Sequence, residues 1–402
     1  MKEKSHRFLI VTVMFLGLMM QNILWFAPAP FLSLIVEELG MNMAQAGLSM
    51  SIIGLITAIS GLFLGGFFIN VGIKKTFSMA LILMSIGSFM NLIVNGFWAL
   101  LLARILIGIG FGFCLPVAGT VIMTYFTQEE RPYLNTVNSL LPYLATAMTF
   151  ILTIPVFKLL GSWRMTLALP GVFSLGALLL WLKYYFDQTE AMQVEERLNR
   201  NILRELIKNR EVVLLTIADI CDMWSFQFVT TYMATFFYTE ALLSLEKSSY
   251  LMSIFPIAGI IAGLSCGIAM SKIGLRKPFT WPLHLTIFIG TTMALYLTGF
   301  GRMFGIFLSG FGNAGWAPAL FTMPMEFDDM TPEKVGAVYA LMLSGGFLAA
   351  FVSPFLGGYL TKFMSLRTVL FLFSMPSLLA AFVTWNMKET GRKRSVAEMR
   401  YR

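Results

Sequence analysis

The sequence predicts an all-α integral membrane protein with twelve transmembrane helices, built as two pseudo-symmetric six-helix bundles. Three observations predict it. Of the 402 residues, 57% are hydrophobic and 12% charged, with a mean hydropathy of +0.76, whereas ordinary soluble domains carry about 25% charged residues. Apolar runs long enough to cross about 30 Å of hydrocarbon recur from one end of the chain to the other. The two halves also match at an offset of 202, which pairs Gly61 with Gly263, Gly65 with Gly267, Gly72 with Gly274, Gly108 with Gly310, Gly110 with Gly312 and Pro116 with Pro318. Such self-similarity marks a duplicated unit.

The first run, near 8–28, follows "MKEKSHR", lacks a small-x-small cleavage site and continues through "WFAPAPF", so it reads as a retained span and not a signal peptide. Runs near 45–69, 76–95, 98–124, 134–158 and 164–185 complete a first bundle over 1–185. Residues 186–210 mix both charge signs and set Leu198, Ile202 and Leu206 at helical spacing, which predicts an amphipathic linker helix on the cytoplasmic membrane surface. Runs near 211–237, 248–271, 278–298, 302–325, 335–360 and 366–386 form a second bundle over 211–387. A basic cytoplasmic tail, 388–402, follows.

An even number of spans puts both termini on one side. Of the 29 lysines and arginines, 22 lie in the tails and loops that are cytoplasmic if the N-terminus is inside. Lys158, Arg164, Lys247, Arg302, Lys362 and Arg367 fall in outer loops, and Arg104 falls within a span. This bias orients both termini to the cytoplasm, with the plasma (inner) membrane as the expected location. The net charge of +8 then reflects topology and anionic lipid heads, and no nucleic-acid partner is expected. Cys114, Cys221 and Cys266 all lie in spans, and His6 and His284 are the only histidines, so neither a disulfide framework nor a metal centre is expected. His284 follows "FTWP" at the cytoplasmic edge of span nine and reads as a packed or snorkelling side chain. No run supplies a catalytic set, a cofactor motif or a GxxxxGK[ST] loop, so enzymatic function and direct drive by ATP are not expected.

One feature opposes the apolar pattern. "TIADICDMWSFQF" carries Asp219 and Asp222 inside span seven, where insertion of an acid costs about 2.5–3.5 kcal/mol or more. At about 100° per residue, Asp219, Asp222, Met223, Phe226 and Thr230 share a face that Gln227 borders. Arg104 is the one basic residue deep in a span. Three roles remain open for the acids: proton exchange, binding of a cationic substrate or sodium, and a structural role satisfied by hydrogen bonds or by Arg104.

The loops extend this pattern into a recognisable family. "GGFFINVGIKK", with Gly65, Gly72, Lys74 and Lys75, resembles the glycine and basic loop signature of the major facilitator superfamily, and "GIAMSKIGLRK" repeats it with Gly267, Gly274, Arg276 and Lys277. "RILIGIGFG" places Gly108, Gly110 and Gly112 after Arg104, and "SPFLGG" carries Pro354, both similar to patterns of the same superfamily. The family loop has an acid four positions after its first glycine, where this chain has Ile69 and Ser271, so no acid-mediated latch is assigned there.

The resemblance implies that spans one, four, seven and ten line a central cavity. Candidate substrate contacts are then Gln21, Asn22 and Trp25 on span one, Gln227 on span seven, Asn313 and Trp316 on span ten, and Tyr339 on span eleven. An indole beside an amide can stack on a flat solute while the amide orients it. The expected function is secondary active transport of a small organic solute by alternating access, with a proton or other cation as coupling ion carried by Asp222, Asp219 as its partner and Arg104 as counter-charge. An uncoupled facilitator, an efflux antiporter for lipophilic compounds and a non-transporting membrane receptor are the alternatives. Membrane lipids are the expected surroundings, and a monomer is the expected state.

Overall fold

The computed structural model describes residues 2–185 and 200–391. Residues 186–199 of the expected linker helix and 392–402 of the expected tail lie outside the described residues. All regular elements among the described residues are helical.

In the first half, α1 (Lys2–Phe26) leads through a 3-10 turn (Ala29–Phe31) into α2 (Leu32–Glu38). The interruption falls where the sequence places Pro28 and Pro30, which lack the N–H that would continue the helix. Then come α3 (Met43–Val71), α4 (Ile73–Met90), α5 (Phe97–Tyr125), α6 (Arg131–Leu160) and α7 (Trp163–Tyr184). A short α8 (Arg200–Leu206) precedes the second half. There, α9 (Arg210–Thr239) and α10 (Leu245–Ile273) are followed by α11 (Trp281–Tyr296) and α12 (Gly299–Gly315). The chain ends with α13 (Ala317–Glu326), α14 (Pro332–Leu360), α15 (Leu366–Ser374) and α16 (Pro376–Trp385).

The chain is an integral, multi-pass membrane protein: ten helical stretches among its described residues are long and apolar enough to cross a bilayer, one of them joining α1 to α2 and another α15 to α16. The two other expected spans are helical but shorter. Span nine is the 16-residue α11, and span ten is split at Trp316 into the 17-residue α12 and the 10-residue α13. At the split Pro318 cannot donate to the helix carbonyl four residues back, and Ala319 and Leu320 donate to the Trp316 carbonyl at 2.9 and 3.0 Å.

Helix boundaries repeat the sequence offset. α3 and α10 are both 29 residues long, with first residues 43 and 245. Gly72 and Gly274, which directly follow these two helices, adopt φ of +79° and +74°, a region that glycine enters without a Cβ penalty. Close packing repeats as well. A Cβ on Gly110 of α5 would lie 2.8 Å from the Ala80 carbonyl oxygen of α4, and one on Gly312 of α12 would lie 2.3 Å from the Leu283 carbonyl oxygen of α11. Small residues of this kind let membrane helices approach backbone to backbone.

By packing, residues form two compact units. The first comprises Met1–Val194, Ala234–Ser253 and Pro354–Tyr359; the second comprises Glu195–Met233, Ile254–Ser353 and Leu360–Arg402. Within the first, α5 packs on α3 and α4, and Ser88 of α4 donates to the Leu167 carbonyl of α7 at 2.7 Å. Within the second, α11 packs on α12 and α16, and a buried core joins Val212, Leu215 and Ala218 of α9 to Trp316, Ala319 and Met323 around the helix break.

Candidate functional site

Each unit buries charge in its interior, and the two solve the resulting problem differently. Asp222 on α9 is 2% exposed. Asn313 of α12 donates through Nδ2 to both of its carboxylate oxygens, at 3.0 and 3.1 Å. The Trp316 indole lies beside the same carboxylate. Both groups are neutral and both come from the last turn before the break at Trp316. No basic side chain of the second unit pairs with Asp222 among the described residues.

Asp219 lies one turn away on the same helix and is 6% exposed. Its Oδ2 faces Gly346 of α14, where an added Cβ would come within 3.1 Å. No hydrogen bond reaches its carboxylate among the described residues. Two acids thus lie one helical turn apart: Asp222 accepts from Asn313, and Asp219 accepts no hydrogen bond among the described residues.

Two further polar residues of α9, Thr230 and Gln227, have partners on their own helix. Thr230 donates to the Phe226 carbonyl at 2.8 Å, and Gln227, 1% exposed, points Nε2 at Thr231 Oγ1 at 3.5 Å. Phe226 packs near Phe255 of α10 with ring centroids 6.0 Å apart. Tyr339 of α14 is half-buried, and its hydroxyl donates to the Phe321 carbonyl at 2.5 Å, bracing α13.

In the first unit, Arg104 is 2% exposed, and its donors go to main-chain carbonyls: Ser49 at 3.0 Å, Leu24 at 2.6 Å and Trp25 at 2.5 Å. The last two close the C-terminus of α1. The residue four after Leu24 is Pro28, which has no N–H to offer. Arg104 supplies the missing donor. Its position after the glycine-rich pattern therefore builds a helix cap, a role the sequence pattern alone did not indicate; the prolines of "WFAPAPF" were the available signal.

The candidates on α1 have different surroundings. Gln21 is 4% exposed, and its Oε1 is buried without a hydrogen-bond partner among the described residues. Asn22 donates to the Leu18 carbonyl at 2.9 Å. Trp25 stacks on Phe26 and meets Phe111 edge-on, with centroids 5.7 and 4.9 Å away. The structure thus brings Asp222, Asn313 and Trp316 into one cluster with Asp219 beside it, and keeps Gln227 and Tyr339 on neighbouring turns and helices of the same unit.

The loop motifs also find partners. Gly65 and Gly267 lie in α3 and α10, and Pro354 lies in α14. The Lys74 carbonyl accepts from Trp181 Nε1 at 3.2 Å, while Lys75 is exposed. Arg276 binds Glu326 at the end of α13, with Nη2 to Oε1 at 2.7 Å. Glu389 accepts from the main-chain N–H groups of Arg276 and Lys277, at 2.7 and 3.0 Å. Sequence reasoning missed both acids. They stand far from the loop in the chain, and only the fold brings them together. Among the described residues no group of three or more His, Cys, Asp or Glu could hold a metal ion.

Residues 14–330 match the family model described as Major Facilitator Superfamily. The multidrug resistance protein MdtG of Proteus mirabilis (strain HI4320) is 23% identical over 364 residues, covering 85% of this chain and 86% of that protein. The hexuronate transporter of Bacillus subtilis (strain 168) is 25% identical over 262 residues, covering 62% and 60%. The crystal structure of a bacterial homologue of the human lysosomal transporter Spinster, inward-facing and unoccupied, superposes with a TM-score of 0.76 at 14% identity, covering 96% of each chain. At that identity the likeness concerns the fold.

Proposed function

This chain belongs to the major facilitator superfamily, and from that premise we propose that it is a secondary active transporter that moves a small organic solute by alternating access, coupled to protons through Asp222 with Asp219 as partner. The relatives named above as transporters support the transport part of this reading. The coupling part rests on one observation: a buried acid in a membrane helix, 2% exposed, hydrogen-bonded by a neutral amide instead of a base. An intramembrane acid without a counter-charge is better tolerated protonated, and it takes up and releases that proton when its access to water changes. The broken helix beside it fits the same scheme, because transporters of this kind place their sites at discontinuous helices near the midplane.

Arg104 takes no part in proton exchange in this proposal; its donors are occupied by main chain. The buried residues packed around the helix break, among them Leu283, Ala319 and Met323, are apolar, which supports a small organic solute over a multiply charged one. We place the protein in the plasma (inner) membrane with both termini cytoplasmic, on the charge bias of its loops. The division into bundles over 1–185 and 211–387, joined by the linker, belongs to the same proposal.

A second reading is favoured by the carboxylate of Asp219, which accepts no hydrogen bond among the described residues: the acids, ionised, bind a cationic solute, as an efflux antiporter requires. A thermal-shift screen of purified protein at acid and alkaline pH separates the two. A ligand present at 100 times its dissociation constant adds about 2.7 kcal/mol to the folded state. Cations that stabilise mainly at alkaline pH would support the second reading. Neutral or anionic solutes that stabilise mainly at acid pH support proton-linked uptake, and equal shifts at both would contradict proton coupling.

A further inference from the structure

His284 sits in the first turn of α11 and is 0% exposed. Neither Nδ1 nor Nε2 has a hydrogen-bond partner among the described residues. A buried polar group left unsatisfied is costly and demands an explanation. Its ring packs against that of Trp316, with centroids 4.5 Å apart and planes tilted by 58°. Trp316 is the residue at the break between α12 and α13, and its indole lies beside Asp222. The indole therefore lies between two buried groups able to accept its N–H, a carboxylate that also takes the Asn313 bonds and an imidazole with no hydrogen-bond partner among the described residues.

The geometry points to His284 as the second acceptor of the Trp316 indole: when Asp222 is neutralised, the N–H leaves the carboxylate and bonds an imidazole nitrogen, turning the joint between α12 and α13. This rests on the proposed proton uptake by Asp222. The carboxylate attracts the N–H most while ionised, because hydrogen bonds to charged acceptors are roughly twice as strong as neutral ones. Neutralisation removes that preference. An imidazole with a bare nitrogen, already in ring contact, is then the better acceptor. Trp316 caps both helices at the break, so a change in its ring is felt by α13 directly. Other titratable groups near the pair are Asp219 and Cys221 on α9, next to Asp222, and Cys266 on α10, whose sulfur lies near Gly315. From α12 the facing groups are Asn313 and Trp316, both neutral.

NMR of protein carrying isotope-labelled tryptophan reads this directly, with the Trp316 indole N–H assigned by its loss in Trp316→Phe. In the wild type the resonance is expected to move on acidification, and Asp222→Asn is expected to hold it at the acid position at every pH. His284→Phe, which keeps a ring but no acceptor, is expected to shift the acid position toward that of an unbonded indole. His284→Gln is expected to restore it, an outcome that simple loss of packing would not give. Identical acid positions in wild type and His284→Phe, with the response to pH intact, would overturn the role of His284 and leave proton uptake by Asp222 standing. A wild-type resonance that ignores pH and coincides with that of Asp222→Asn would overturn both.

Discussion

α5 and the α12–α13 pair occupy equivalent places in the repeat, begin at residues 97 and 299, and treat a proline at the same register in opposite ways. α5 runs unbroken for 29 residues through Pro116, whereas the second half breaks at Trp316, two residues before Pro318. The charge each helix manages differs in the same sense. α5 carries Arg104, whose donors are tied to three main-chain carbonyls. α12 carries no charge there but offers an amide and an indole to an acid on another helix. Main-chain partners cannot leave without unwinding a helix; side-chain partners can turn away. The first half uses its charge to fix α1, and the second holds its charge by side-chain partners, which the proposed proton exchange requires.

Arg104→Ala should have the largest effect on that contrast. It strands the Leu24 carbonyl, which Pro28 cannot serve, and removes a fully engaged guanidinium. A loss of about 2–5 kcal/mol is expected, read as a large drop in melting temperature in detergent; an unchanged melting temperature would mean that the carbonyls do not need it. Gly312→Leu comes next, since even its Cβ would meet the Leu283 carbonyl oxygen at 2.3 Å. Overpacking of this kind costs about 1–3 kcal/mol, and Gly119→Leu, where a Cβ meets nothing within 4 Å, is the control expected to be silent.

Asp222→Asn should leave stability intact, because the amide keeps the shape and the contact with Asn313. What it should remove is the pH dependence of ligand-induced stabilisation. A variant that melts far below wild type would assign Asp222 a structural role like that of Arg104.

The smallest expected effect lies in the loop between α5 and α6. Glu130 is held below the usual carboxylate range, first by the Thr127 N–H and then by Arg7, which binds it through Nη1 and Nη2 at 2.9 and 2.6 Å. A lowered carboxylate contributes stability above its unfolded pKa and loses it as pH falls through the folded value. Glu130→Gln should therefore lie slightly below wild type in melting temperature at neutral pH, with the gap closing in acid. A gap that persists in strong acid would show that charge is not its source.

Much of the fold was legible because duplication is written in residue spacing. The offset of 202 anticipated the matching ends of α3 and α10 and the positive φ at Gly72 and Gly274. Asp219 and Asp222 stood out because acids are rare among apolar neighbours. Arg104 stood out for the same reason, but its main-chain carbonyl partners leave no mark in a side-chain pattern. Span ten was legible as apolar length but not as two helices, since Pro116 and Pro318 share a register and only one ends a helix. Glu326 and Glu389 were silent because an acid at a helix end or in a tail is ordinary until the fold sets Arg276 beside it.

The most direct test of the proposed proton exchange is proton flux into proteoliposomes, followed with a trapped pH-sensitive dye while a solute found by the ligand screen is supplied. The wild type should acidify or alkalinise the lumen together with solute movement. Asp222→Asn should bind the solute and exchange it across the membrane without moving protons. Proton movement in Asp222→Asn equal to that of the wild type would contradict the assignment of Asp222 as the coupling acid.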